Sequence, residues 1–177
     1  MTREQLGHVV RAICSVLQIK EIWVVGSQSI LGSFSEEELP EPLTVSLETD
    51  FFVPGWSEQD EKTIEATLGE VSRFAETHGY YADPVSEKTA HAPTGWKARV
   101  IPFFNEATQG CTAWCLEPHD LAISKLAAGR KKDLSFVHLL LESKIVRESI
   151  LRQRLADADN FTPAEKGAIN ARLNRIL

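Results

Sequence analysis

The chain has 177 residues, 43% hydrophobic and 25% charged, with a formal net charge of −6; this is enough for one compact domain to fold without staples, and the acidic balance excludes an extended basic surface for gripping nucleic acid, though not a local basic patch. Three cysteines, an odd number, do not describe a disulfide framework. The polar start MTREQLGHVV lacks a basic-then-apolar leader and no apolar run approaches membrane-spanning length, so a cytoplasmic protein with no membrane partner is expected.

Thr2 followed by Gln5 outlines a capping box, and Leu6, Val9, Val10, Ile13 and Leu17 recur at helical spacing, which predicts a first helix through about Leu17. Glu21 to Val25 (EIWVV) predicts a short buried strand. It runs straight into Gly26-Ser27, and Gln28 to Gly32 reads as a short helix closed by glycine. Ser33 to Pro42, acidic and bounded by proline, reads as an exposed loop. Leu43 to Val53 alternates as a second strand, with Val45, Leu47, Thr49 and Phe51 on one face and Ser46, Glu48, Asp50 and Phe52 on the other.

Ser57 to His78 reads as one long amphipathic helix ending at Gly79. Tyr80 to Val85, Trp96 to Phe104 and Thr112 to Leu116 read as further strands, with a loop around His91 to Gly95. Pro118 to Ala128 is a helix with proline in its first turn and Gly129 past its end. From Asp133 onward two or three helices are expected, the last opening at Thr162-Pro163 and Glu165. The fold class is therefore α/β or α+β, with a core over residues 1–116 and a helical C-terminal part over 117–177 packed on it.

One constellation in this order carries chemistry. A helix opening after a Gly-Ser turn offers backbone N–H groups to phosphate oxygens, and Ser27 adds a hydroxyl. Carboxylates two apart on a strand project from one face, so Glu48 and Asp50 can share a hard cation such as Mg²⁺ while a triphosphate supplies the remaining oxygens. Taken singly, Gly26-Ser27 is more often a plain turn and Glu48-x-Asp50 more often a solvent face. Their succession along the chain favours the joint reading.

With these residues the chain resembles the nucleotidyltransferase superfamily, in which an apolar strand, Gly-Ser, a short helix and a strand with two alternating acids form the core. The closest likeness is to small bacterial nucleotidyltransferases related to the toxin components of AbiE-like toxin–antitoxin systems. It is carried by VVGSQSILG (Val24 to Gly32), SLETDFF (Ser46 to Phe52) and EPHDLAISKLAAGRKKD (Glu117 to Asp133). The resemblance implies a mixed sheet flanked by helices and transfer of a nucleoside monophosphate from a nucleoside triphosphate to an RNA, protein or small-molecule acceptor. It implies Mg²⁺ on Glu48 and Asp50, a triphosphate on Gly26 and Ser27, and Lys125 contacting the phosphates. Asp133, with Arg130 and Lys132, would organise the site, and a cognate antitoxin would be a partner.

The physical reading of the third motif leaves room for plainer roles. Lys125 can be a stem packed on the core, Asp120 a complement to its helix dipole, and Arg130 to Lys132 a basic knot at a helix C-terminus. No third carboxylate is read on the strand Trp96 to Phe104, which offers Arg99 instead, as a phosphate ligand or a partner for Glu48. That gap motivates an alternative: a catalytically silent nucleotidyltransferase-like module that binds a nucleotide or a protein. A zinc corner of Cys111, Cys115 and His119 lacks an evident fourth ligand, and no Gly-x-Ser-x-Gly elbow supports a serine hydrolase.

Overall fold

The computed structural model describes residues 1–177. Helix α1 (Arg3–Leu17) opens on a complete capping box. Thr2 Oγ1 accepts from the Gln5 N–H, and Gln5 Oε1 accepts from the Thr2 N–H. Its stripe of Leu6, Val9, Val10 and Ile13 is buried, as the periodicity requires.

The five strands are β1 (Glu21–Val24), β2 (Glu48–Phe52), β3 (Tyr81–Pro84), β4 (Ile101–Phe103) and β5 (Thr112–Cys115). They form one mixed sheet in the order β3-β2-β1-β5-β4. The β1–β5 and β2–β3 pairs are parallel, while β1–β2 and β4–β5 are antiparallel. Alternation along each strand divides the sheet into two faces. One carries Ile22, Val24, Thr49, Phe51, Ala82, Phe103, Ala113 and Cys115, all buried. The other carries Trp23, Phe52 and Trp114 and, toward the β2–β3 end, Glu48, Asp50, Tyr81 and Asp83.

Three expected elements change shape. The helix expected over Ser57 to His78 is two helices, α2 (Glu58–Leu68) and α3 (Arg73–His78). Gly69 takes an extended conformation (ψ 179°), and Ser72 then caps α3 by accepting from the Ala75 N–H. The second strand is confined to Glu48–Phe52. The Leu47 carbonyl still accepts from the Tyr81 N–H (3.0 Å), but Val45 and Leu47, expected on one strand face with Thr49 and Phe51, are 63% and 53% exposed. The strand expected over Trp96 to Phe104 shrinks to Ile101–Phe103 behind a 3₁₀ turn at Trp96–Ala98.

The C-terminal part comprises α4 (Pro118–Ala128), α5 (Lys131–Glu142), α6 (Glu148–Asp157) and α7 (Pro163–Ile176). The α7 start is the expected one, with Thr162 and Glu165 closing a capping box. Helix α4 packs on α5, α6 and α7. One hydrophobic cluster of 41 buried residues is shared between residues 1–116 and 117–177.

A charged knot holds these two parts together. Asp120, fully buried, accepts from Arg99 (Nε–Oδ2, 2.7 Å) and from Arg154 (Nη1–Oδ1, 2.9 Å). Arg154 also donates to Glu117, whose other oxygen lies 2.7 Å from His119 Nδ1. Burial alone would push the Glu117 carboxyl up, but the hydrogen bonds and charges of His119 and Arg154 outweigh it and hold it at about 2.

Removing the carboxylate at position 120 leaves the Arg99 and Arg154 guanidinium groups close together without the buried anion that lies between them. Asp120→Ala should therefore lose about 3 kcal/mol of stability, read by urea denaturation. A loss under about 0.5 kcal/mol, the scale of an exposed pair, would show that the knot contributes little.

Candidate active site

The two halves of the sequence constellation meet at the C-terminal end of β1. Antiparallel pairing of β1 with β2 sets Val24 against Phe51, and the Val25 N–H donates to the Asp50 carbonyl (2.9 Å). The chain then turns at Gly26 with φ +67°. A Cβ at that position would lie 1.8 Å from Asp50 Oδ2. The Asp50 carboxylate thus rests on the glycine backbone, and only glycine permits both the dihedral and the approach. Ser29 Oγ donates to the Gly26 carbonyl (2.7 Å), which fixes the turn from below.

The segment expected as a helix after this turn is a 3₁₀ helix, Ser27–Gly32. Ser27 Oγ accepts from Lys125 Nζ at 2.8 Å. Lys125 reaches the turn from α4 with a side chain only 10% exposed, and its amine lies 3.4 Å from Asp133 Oδ1. Burial depresses the lysine below its usual range, while Asp133 and Asp50 pull it back up. Asp133 is itself buried and also takes Arg130 (Nε–Oδ2, 2.6 Å). Burial resists its ionisation, but the bond from Arg130 and the charge of Lys125 win and hold it below the ordinary aspartate range.

The basic knot at 130–132 has a different setting from the one expected. Arg130 is the N-cap of α5, and Lys131 and Lys132 form its first turn. Cations at a helix N-terminus oppose the dipole. The last carbonyls of α4 are meanwhile taken by Arg172, whose Nη1 donates to Leu126 and Ala127 (2.7 and 2.8 Å). Helix-dipole pairing at the α4 C-terminus therefore does not account for the knot. An anion arriving at the α5 N-terminus would meet these cations together with free helix N–H groups.

A third carboxylate completes the site, and it is Asp83. Parallel pairing of β2 and β3 sets Asp83 directly opposite Asp50, with Tyr81 opposite Glu48. The Asp50 and Asp83 carboxyls, side by side on one face of the sheet, are close enough to influence each other's protonation. None of the three acids is in an ion pair; the one neighbourly hydrogen bond is from Tyr81 Oη to Glu48 Oε2 (3.3 Å). Burial, followed by repulsion from Glu48 and Asp83, raises Asp50 to about 7. Burial and Glu48 also raise Asp83.

These groups border a cavity of about 580 Å³, which also receives Lys88, Thr89, His91, Ser124, Arg130 and Lys132. An adjoining hollow of about 230 Å³ shares Glu48, Lys125 and Lys132 and has Ser27, Leu43 and Phe136 on its walls. No three His, Cys, Asp or Glu side chains are arranged to enclose a metal ion by themselves. The donor set nonetheless fits Mg²⁺, which takes one or two carboxylates and completes its shell with phosphate oxygens and water. Burial and the repulsion from Glu48 and Asp83 together disfavour charge on Asp50, and such a cation would offset both.

Gly26, Ser27, Glu48, Asp50, Lys125, Arg130, Lys132 and Asp133 are therefore brought together, and Arg99 is not. Its guanidinium is held by Asp120 and by the carbonyls of Pro93 and Thr94 (3.3 and 3.1 Å). Pairing with Asp120 removes the expectation that Arg99 meets phosphate or Glu48. The thiols of the considered zinc corner face different surroundings. Cys111 neighbours Cys14, Cys115 packs against Gly32, and His119 is held by Glu117. Asp83 had a visible signal, an acid inside a strand of the right length, but the strand order that pairs it with Asp50 is not written in local spacing.

A family model described as "Nucleotidyltransferase of unknown function (DUF6036)" matches residues 4–173. The chain belongs to this family, in keeping with the nucleotidyltransferase character expected from its motifs. No curated protein and no solved structure matches the chain. No helix is long and apolar enough to cross a membrane.

The raised Asp50 carboxyl makes a prediction about stability. Between the ordinary aspartate value near 3.9 and about 7, the folded chain holds a proton that the unfolded chain has released. Stability therefore falls as pH rises through that window. Asp50→Asn should be more stable than wild type at pH 8 without divalent metal, by up to about 4 kcal/mol, with the gap closing toward pH 4. Urea denaturation across this range checks it, and a variant less stable at pH 8 would contradict the charge assignment.

Proposed function

We propose that this chain transfers a nucleoside monophosphate from a nucleoside triphosphate to a hydroxyl-bearing acceptor, using Mg²⁺. The observation that carries the reading is the Asp50 carboxylate resting on Gly26 while Lys125 holds Ser27. Phosphate-binding and cation-binding groups thus meet where two adjoining cavities share Glu48 and Lys125.

In this reading Gly26 and Ser27 seat the triphosphate, and Lys125 with Arg130 balances phosphate charge. Asp133 orients both cations. Glu48 and Asp50 hold Mg²⁺, which when bound offsets the charge that develops on the phosphates and lowers the barrier to displacement. Asp83 accepts the acceptor's hydroxyl proton on a carboxylate oxygen. The acceptor oxygen then bonds to the α-phosphorus as the bond to pyrophosphate breaks. Its raised affinity for protons suits Asp83 to that role. The silent-module alternative rested on the lack of a third carboxylate, and Asp83 supplies one.

The likeness of Glu117 to Asp133 to AbiE-like toxin components supports a toxin role in the cytoplasm, with RNA or protein as the acceptor and an antitoxin as partner. Induced expression should then arrest growth for the wild type and not for Asp50→Ala. Equal growth of both would remove the toxin role while leaving the transferase reading open.

Label from an α-³²P nucleoside triphosphate should appear on an RNA, protein or small-molecule fraction of a lysate, with release of pyrophosphate. Asp50→Ala should abolish Mg²⁺-dependent nucleotide binding with the fold intact. Asp83→Asn should keep binding and lose turnover by about 10²-fold or more. Binding without any transfer, across total RNA and lysate, would return the reading to a silent module.

A further inference from the structure

Four cationic side chains border the main cavity: Lys88, Lys125, Arg130 and Lys132. Two of them already have a counter-charge, because buried Asp133 lies 2.6 Å from Arg130 and 3.4 Å from Lys125. Lys88 and Lys132 are in no ion pair and face the cavity from different walls, Lys132 from the first turn of α5 and Lys88 from the 3₁₀ turn Glu87–Ala90. Their charge is the part of the cationic wall left for a ligand.

From this we infer that Lys88, opposed by Lys132, clamps the terminal phosphates of the nucleotide and makes the site selective for triphosphates over monophosphates. The inference rests on the nucleotidyltransferase reading and adds to it a residue outside its motifs. Lys88 follows Asp83 by five positions, so the segment that supplies the third carboxylate continues directly into the clamp. Each terminal phosphate brings charge that a monophosphate lacks, and an ammonium not already in an ion pair can give it a charge-assisted hydrogen bond.

The segment carrying Lys88 is tied at several points. Glu87 pairs with Lys97 (2.6 Å). His91 adopts φ +38°, a conformation that persists in a non-glycine residue only where its surroundings over-determine it. Its ring lies against Phe161 (centroids 5.2 Å apart), and its Nε2 is 3.8 Å from Glu165. Asn160 Nδ2 donates to the Ala92 carbonyl (2.9 Å), and its Oδ1 accepts from the Thr94 N–H (3.0 Å). The turn between α6 and α7 thus holds the cavity wall from behind, and Asn160 is a positioning residue for Lys88.

Calorimetric titration tests this with three probes in the presence of Mg²⁺: the best-bound of the four ribonucleoside triphosphates, its monophosphate, and inorganic triphosphate, which carries no base. Lys88→Ala should weaken the nucleoside triphosphate and inorganic triphosphate about tenfold, the scale of one charged contact, and leave the monophosphate unchanged. Lys88→Arg should restore most of the affinity. Asn160→Ala should narrow the triphosphate-to-monophosphate ratio in the same direction by a smaller factor, which a merely structural role would not do.

Unchanged triphosphate affinity in Lys88→Ala would overturn the clamp and leave the nucleotidyltransferase reading standing. An equal loss for triphosphate and monophosphate would overturn it too, by showing that the variant disturbs the wall as a whole. If the wild type binds no nucleotide and no inorganic triphosphate, the underlying reading fails with it.

Discussion

The contact on which the site depends is the one between the Asp50 carboxylate and the Cα of Gly26. It follows from antiparallel pairing of β1 with β2, which brings the residue after a buried apolar strand beside an acid on its neighbour. No side chain can intervene there. The result is a backbone turn and a carboxylate at van der Waals distance, with Lys125 closing the other side through Ser27. Glu48 and Asp83 then follow from strand alternation and parallel pairing, and three acids converge with no counter-ion of their own. Burial first, and then the charges of Glu48 and Asp83, push the Asp50 carboxyl up to about 7.

Buried aspartates organise the rest in a different way. Asp120 and Asp133 both lie on the α4–α5 hairpin, and each takes two cations. Asp120 spends its charge on architecture, tying the β4 side of the sheet to α6 through Arg99 and Arg154. Asp133 spends its charge on the site, holding Lys125 toward Ser27 and Arg130 at the cavity rim. These two acids have their charge matched by neighbours, while the three on the sheet are in no ion pair. The difference lies in their partners, since all five residues are at least partly buried.

Much of this was legible in the sequence because the signals are local. The capping boxes at Thr2 and Thr162, the apolar strand before Gly26, the alternation of Glu48 and Asp50, and Pro118 and Gly129 bounding α4 each mark an element by residues within a few positions of it. Lys125 was visible as a lysine at a regular offset in the third motif. What was not legible depended on which strands pair and which charges find each other. Asp83 required the β2–β3 register. Arg99 required knowing that Asp120 and two loop carbonyls would claim it. The long helix through Gly69 and the strand through Val45 and Leu47 failed because periodicity continues past the point where tertiary partners stop.

The most direct measurement is a crystal structure with Mn²⁺ and a non-hydrolysable nucleoside triphosphate, with data collected at the manganese edge. An anomalous peak should touch Glu48 and Asp50, with phosphate oxygens within hydrogen-bonding distance of Ser27. An ordered nucleotide bound elsewhere, or manganese that avoids both carboxylates, would contradict it.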